Sequence, residues 1–299
     1  LTGFSSPVLS PCFWPEFITV SVPHPPDNSV LITGCSSGIG LCCARTLQKL
    51  GYRVFATTRK ADDCAQLAAY GLESLQLDLD NSDSIQQAVD EILRRTDGTL
   101  YALVNNGAWG QPGAVEDLSR QVLRAQFETN LFGTAELTNR VIPVMRRQGH
   151  GRIVQISSVL GLVALKYRGA YVASKFALEG LTDCLRLELA DSDIRISLIE
   201  PGPIASHFRA NAYQKYLENI DSDHSVHRES YRAMEQRLQH QGDAVPFTLP
   251  PDAVVKKVVH ALESPRPRLR YYVTVPTYLF GWLKRLLGDR LLDRLLTKV

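Results

Sequence analysis

What this chain lacks narrows it before any motif is read. Its six cysteines, Cys12, Cys35, Cys42, Cys43, Cys64 and Cys184, form no CxxC pair and no spacing that closes a metal site. No metal is expected, and reduced thiols in a cytoplasmic protein are. Adjacent Cys42 and Cys43 read as small buried residues on a helix face rather than a redox pair. Neither sign of charge is in excess. The 33 Lys and Arg face 31 Asp and Glu, a net charge of +2, which suggests neither nucleic acid nor an acidic partner. No apolar run reaches the roughly 20 residues of a membrane span. Lys and Arg are missing from the first 29 residues, which do not suit a signal peptide. Prolines at 7, 11, 15, 23, 25 and 26 make residues 1–28 read as an extended or disordered leader. Methionine occurs only at 145 and 234, so this leader is expected to be a gene-start artefact on which no function rests. Internal repeats and low-complexity tracts are absent too, which leaves one domain beginning near Asn28.

What is present fills 299 residues, 44% of them hydrophobic, enough for one large core. Val30-Leu-Ile-Thr-Gly34-Cys-Ser36-Ser37-Gly38-Ile39-Gly40 reads as strand, turn and helix. Its glycines allow a sharp turn and close approach of an anion to unpaired N–H groups at the helix start. No Lys-Ser/Thr follows Gly40, so it is not a P-loop; a tight turn without ligand is the alternative. Strand-like and helix-like segments then alternate. Strands are read at 30–33, 53–57, 74–77, 101–105, 153–157, 195–200 and 271–275. Helices are read at 39–50, 62–70, 82–95, 119–147 with a kink at Pro143, and 170–190. Repeated βαβ units predict an α/β fold, a single-domain, doubly wound, Rossmann-type parallel sheet with helices on both faces.

Thr33-Gly34-x-x-x-Gly38-Ile39-Gly40 resembles the cofactor motif of the short-chain dehydrogenases/reductases. In such a sheet, ligands lie beyond the carboxyl ends of the strands. The second strand ends in Thr57-Thr58-Arg59-Lys60, with no acid to hold a ribose 2′-hydroxyl. Arg59 suits a 2′-phosphate instead, which favours NADP(H), unless Arg59 and Lys60 are only a solvated strand end. Asp78 stands where the family contacts the adenine amino group. Asn105-Asn106-Gly107-Ala108 matches the family's Asn-Asn-Ala-Gly with its last two residues exchanged. That exchange is expected to alter the local backbone, since Gly and Ala tolerate different φ.

Tyr171 and Lys175 are four residues apart, hence on one helix face. A free phenol titrates near 10, and a neighbouring ammonium stabilises phenolate, so Lys175 is expected to lower the pKa of Tyr171. A Tyr and a Lys at helical spacing are commonplace, and an exposed aromatic beside a solvated Lys is the plain alternative. Context favours the chemistry. Ser158, thirteen residues before Tyr171, resembles the family's catalytic serine. Asn130, in Thr129-Asn130-Leu131-Phe132-Gly133, resembles the asparagine that holds a water in a proton relay; a polar helix residue satisfying a backbone group is its other reading. Pro201, Gly202, Ile204 and Ser206 resemble the segment that lies against the nicotinamide, with Ser206 where Thr is more usual. Pro203 and the form of the first motif resemble the hydroxysteroid and retinol dehydrogenase branch, which includes bacterial aldehyde reductases. The resemblance runs from about residue 30 to 275. It implies a Ser-Tyr-Lys-Asn oxidoreductase that reduces apolar aldehydes or ketones with NADP(H). A hydroxysteroid- or retinol-like alcohol dehydrogenase and a non-catalytic NADP(H) sensor are its rivals. It also implies a homodimer or homotetramer through the helices at 119–147 and 170–190.

The domain is read as 29–278, with a substrate lid at 207–250. Phe208, Tyr213, Tyr216, Leu217, Tyr231 and Met234 suit either a pocket lining or ordinary helix packing. The polar run from Asp221 to His227 offers too few fixed ligands for zinc. Residues 279–299 are amphipathic and interrupted by Gly288. Packing on the protein's own pocket or on a second subunit is favoured over weak contact with a membrane surface.

Overall fold

A computed structural model describes residues 28–240, 242 and 245–298. The leader read at 1–28 lies outside the described residues except for Asn28, as do residues 241, 243 and 244 of the lid and Val299.

The apolar tetrapeptide Ser29–Ile32 is strand β1, and Gly38–Lys49 is helix α1. The chain continues through β2 (Arg53–Thr58), α2 (Ala61–Ala69), β3 (Glu73–Gln76), α3 (Ser82–Arg95) and β4 (Ala102–Asn105). Asn81 caps α3, its side-chain oxygen accepting the Ser84 N–H at 2.9 Å. The second half runs α4 (Arg120–Phe127), α5 (Thr134–Gln148), β5 (Gly151–Ile156), α6 (Gly169–Glu188) and β6 (Ile194–Glu200). Last come α7 (Phe208–Asn219), α8 (Arg228–Gln239), α9 (Asp252–Glu263), β7 (Arg270–Tyr272), α10 (Val275–Leu286) and α11 (Asp289–Leu296).

All pairings are parallel, in the order β3-β2-β1-β4-β5-β6-β7, so the chain reverses direction across the sheet between β1 and β4. Strand alternation divides the core. Val30, Ile32, Val54 and Val104 meet α1, α2 and α9, whereas Leu31, Phe55, Leu103 and Ile153 meet α3 and α5. A third cluster, with Tyr216, Tyr231, Met234 and Ile220, seats α7 and α8 on the body.

Three elements depart from the sequence reading. The continuous helix expected over 119–147 is split by a π turn, Glu128–Gly133, where the Thr134 hydroxyl donates to the Thr129 carbonyl five residues back at 3.2 Å. Pro143 lies inside α5, with no break there. The last strand closes at Tyr272 because Val275 and Pro276 already open α10, where proline suits the first turn. Helix α9, with Val254, Val255, Val258, Ala261 and Leu262 buried, lies in a stretch the sequence reading leaves unassigned.

Candidate active site

The turn after β1 is built from conformations that side chains resist. Gly34 has φ +70° and Gly38 φ +57°, both left-handed. A Cβ on Gly40 would stand 2.2 Å from the Gly34 carbonyl oxygen. Ser37 precedes α1 without capping it through its side chain, and the first turn of α1 holds no acid. Its leading N–H groups thus remain available to an anion, while Ser36 is exposed and Ile39 half-buried beside them. Opposite stands Ser206, whose Cβ lies 3.1 Å from where Gly38 would carry one. A cradle open at an absent Cβ, lined by free N–H groups, fits a dinucleotide.

Asn106 joins this turn to the end of β4. Its side-chain amide donates to the Thr33 and Gly34 carbonyls at 2.9 and 3.0 Å, and Thr33 Oγ1 accepts the N–H groups of Asn106 and Gly107 at 2.9 and 2.8 Å. Sequence reasoning chose Asn105 as a contact, yet its amide nitrogen donates to Thr138 Oγ1 at 2.9 Å, into α5. Asn106 is the residue it missed. At the exchanged Gly107-Ala108 pair the backbone keeps to ordinary φ. Gly107 has no left-handed φ, and a Cβ there would meet Leu79 Cδ1 at 3.1 Å. Arg59 is exposed at the end of β2. Half-buried Asp78 follows β3, its Oδ1 accepting the Asp80 N–H at 3.1 Å.

The catalytic candidates meet at the carboxyl end of β5 and on α6. Ser158 is buried, and its Oγ accepts the Leu160 N–H at 3.1 Å. Tyr171 stands edge-on to Phe208, ring centroids 5.4 Å apart. Lys175 is buried one turn on, its Nζ donating to the Ile156 carbonyl at 2.8 Å and lying 5.7 Å from the Tyr171 ring centre. The expected lowering of the Tyr171 pKa is overturned. Burial pushes the phenol up to about 12, and the Ser158 hydroxyl, not Lys175, is the group that pulls it back. Burial brings Lys175 down to about 8 against the upward pull of Glu179.

Asn130 lies in the π turn. Its side chain donates to the Trp109 carbonyl at 2.9 Å and to Ser174 Oγ at 3.1 Å, and accepts the Trp109 N–H at 3.1 Å. Ser174 Oγ in turn donates to the Tyr171 carbonyl at 2.8 Å. Asn130 therefore pins the loop after β4 to the helix that carries Tyr171.

The segment after β6 straps the site to the lid. The Pro201 carbonyl accepts the Val159 N–H at 2.8 Å, beside Ser158, and Gly202 faces Thr274, whose Oγ1 a Cβ would meet at 2.1 Å. Ile204 bridges to Leu249, and the Ser206 hydroxyl donates to the Ile204 carbonyl at 3.4 Å. Of the expected lid residues, Phe208 covers Tyr171, whereas Tyr216, Tyr231 and Met234 pack with Ala114, Leu118 and Ala170 of the body and Leu217 faces solvent. His224 pairs with Asp221 and His227 with Glu116, and no cluster of metal ligands occurs among the described residues.

Behind Lys175 lies an acidic group the sequence reading overlooked, although Tyr171, Lys175 and Glu179 share the spacing that would have found its first member. Arg270 Nη2 contacts Glu179 at 2.9 Å and Asp183 at 2.8 Å, and its Nε lies 3.2 Å from fully buried Glu200. Burial and the facing Glu179 raise the Glu200 carboxyl from 4.5 to about 8, against Arg270. The folded protein then holds a proton that the unfolded chain releases, so stability falls as pH rises from about 4.5 to about 8. Glu200→Gln removes that dependence. In urea titrations the variant gains on wild type by about 1.4 kcal/mol per pH unit across this window. Parallel profiles would show that Glu200 is ionised in the fold.

The family model for short chain dehydrogenases matches residues 28–217. An uncharacterized oxidoreductase, YbbO, of Escherichia coli K12 is 44% identical over 270 residues, covering 90% of this chain and 94% of that protein. Human retinol dehydrogenase 8 is 37% identical over 258 residues, covering 81% and 80%. The crystal structure of a short-chain dehydrogenase from Streptomyces avermitilis superposes with a TM-score of 0.71 at 28% identity, covering 90% and 95%.

Proposed function

This chain belongs to the short chain dehydrogenase family and is related to its hydroxysteroid and retinol branch, and from that premise we propose that it reduces apolar aldehydes or ketones with NADP(H). The observation that carries the reading is Tyr171, a buried phenol beside buried Ser158, with the Lys175 ammonium 5.7 Å from its ring centre. The phenol carries its proton at neutral pH, as a donor to a carbonyl oxygen must.

Gly34, Gly38 and Gly40 with the first N–H groups of α1 would hold the pyrophosphate, and Arg59 the 2′-phosphate. Asp78 would meet the adenine, and Pro201, Gly202, Ile204 and Ser206 would flank the nicotinamide. Bound there, the nicotinamide supplies the hydride to the carbonyl carbon. Ser158 Oγ orients the carbonyl oxygen while Tyr171 donates its hydroxyl proton to that oxygen as charge develops. Lys175, anchored on the Ile156 carbonyl, places a positive charge beneath the phenol, and Glu179 helps keep it protonated. Asn130 acts by position, since Trp109 and Ser174 occupy its side chain. Phe208 closes an apolar wall over Tyr171. A cytoplasmic homodimer or homotetramer through α5 and α6 belongs to the same reading, and Leu181 and Leu187 are exposed on α6.

The test is oxidation of NADPH and NADH over a panel of aldehydes and ketones. NADPH is expected to be preferred, and Arg59→Ala to raise its KM about tenfold or more with the NADH value unchanged. Equal use of both cofactors by wild type would refute the role of Arg59. Oxidation of retinol- or steroid-like alcohols as the faster direction would favour the second reading, which the likeness to human retinol dehydrogenase 8 supports. Binding of NADPH with no turnover in either direction would favour a sensor.

A further inference from the structure

The C-terminal helices carry an apolar surface that the body of the protein does not cover. On α10, Val275, Tyr278, Leu279, Trp282 and Leu286 stand at i, i+3, i+4, i+7 and i+11, a single stripe, and all are exposed, Trp282 at 62% and Leu286 at 71%. The opposite side of the helix does the packing. Thr277 and Gly281 are buried, the latter against Tyr272, and Lys284 lies over the Phe176 ring 4.5 Å from its centre. Except at Tyr278, whose ring stands edge-on to Tyr272 at 5.5 Å, the stripe points away from these contacts, so the segment packs on the body through one face and leaves the other uncovered. On α11, Leu292 turns inward while Leu291 and Leu295 are exposed.

Charge selects the occupant. Residues 275–298 hold five cations, Lys284, Arg285, Arg290, Arg294 and Lys298, against Asp289 and Asp293, an excess larger than the net +2 of the whole chain. A second copy docked on this face about a two-fold axis would bring the cationic border against itself. An anionic phospholipid surface meets both features, taking the Trp and Leu side chains among its acyl chains and the arginines at its headgroups. No helix among the described residues is long and apolar enough to cross a membrane, so the segment would lie in the interface plane.

We propose that α10 and α11 dock this protein reversibly on anionic lipid surfaces. The inference stands apart from the substrate and cofactor reading. It is tested by co-sedimentation of the full chain with vesicles of phosphatidylcholine alone and of phosphatidylcholine mixed with phosphatidylglycerol. Wild type is expected to sediment with the mixed vesicles only, less so as salt is raised. Trp282→Asp with Leu286→Asp, and separately Arg290→Glu with Arg294→Glu, are each expected to weaken partitioning about tenfold or more. These positions are exposed, and an unchanged thermal midpoint verifies the fold. Absence of binding to mixed vesicles overturns the proposal, as does an aspartate variant that binds as wild type does. A drop in oligomeric state on the aspartate substitutions without vesicle binding assigns the stripe to a second copy and overturns it too.

Discussion

Tyr171→Phe leaves the protein folded and able to bind NADPH but lowers kcat for carbonyl reduction by about 10²- to 10⁴-fold. The substitution deletes one hydroxyl. The ring keeps its edge-on contact with Phe208 and its place above Lys175, so the pocket retains its shape. What disappears is the proton donor beside Ser158. An interaction made with the developing alkoxide is lost from the transition state and not from the ground state, so kcat falls while KM moves little. Steady-state rates with the best aldehyde of the panel, with NADPH affinity from fluorescence titration, give both numbers. A variant within tenfold of wild type would place the proton donor elsewhere.

The second large effect is expected at Gly40→Ala. A methyl there falls 2.2 Å from the Gly34 carbonyl oxygen and 2.7 Å from the Asn106 amide nitrogen. The first is backbone and belongs to the turn itself, so nothing can swing aside. Helix α1 must lift from β1, and the turn that holds Gly34 and Gly38 in left-handed conformations opens with it. Overpacking of this kind costs about 3 kcal/mol or more, and NADPH binding is lost with the geometry of the N–H groups. Gly180→Ala is the contrast. It lies inside α6 with nothing within 4 Å of its missing Cβ, and the same methyl there is expected to stabilise by about 0.5–1 kcal/mol. Urea unfolding of both variants and NADPH titration of the first measure the difference. A Gly40→Ala protein with wild-type affinity would mean that α1 can shift without disturbing the turn.

The alternation of short apolar strands with amphipathic helices carries the parallel sheet in the sequence, because each strand is buried on both faces and each helix on one. The glycine turn and the Ser158–Tyr171–Lys175 spacing are legible for the same reason, being local patterns with one geometric outcome. The π turn at Glu128–Gly133 is not, since one extra residue leaves the hydrophobic period of the flanking helices nearly unchanged. Asn105 and Asn106 are the same residue type one position apart, and only the register of β4 against β1 decides which reaches Thr33. The upward shift of Tyr171 depends on how completely Phe208 and the surrounding core exclude water, which spacing along a helix does not encode. Glu200 and Glu179 stand 21 residues apart, and Arg270, which joins them, is 70 residues further on.

The Asn106 bonds to Thr33 and Gly34 have a mechanical meaning. From Thr33 a continuous run of hydrogen bonds and chain passes through Asn106, along the loop to Trp109, across to Asn130, through Ser174 and onto the carbonyl of Tyr171. The glycine turn and Tyr171 are thus registered against each other by the protein's own frame. The glycine turn and the Tyr171 backbone are joined by directional bonds and covalent chain, not by apolar packing alone. The sheet sets the span, and this chain of amides and hydroxyls sets the tolerance.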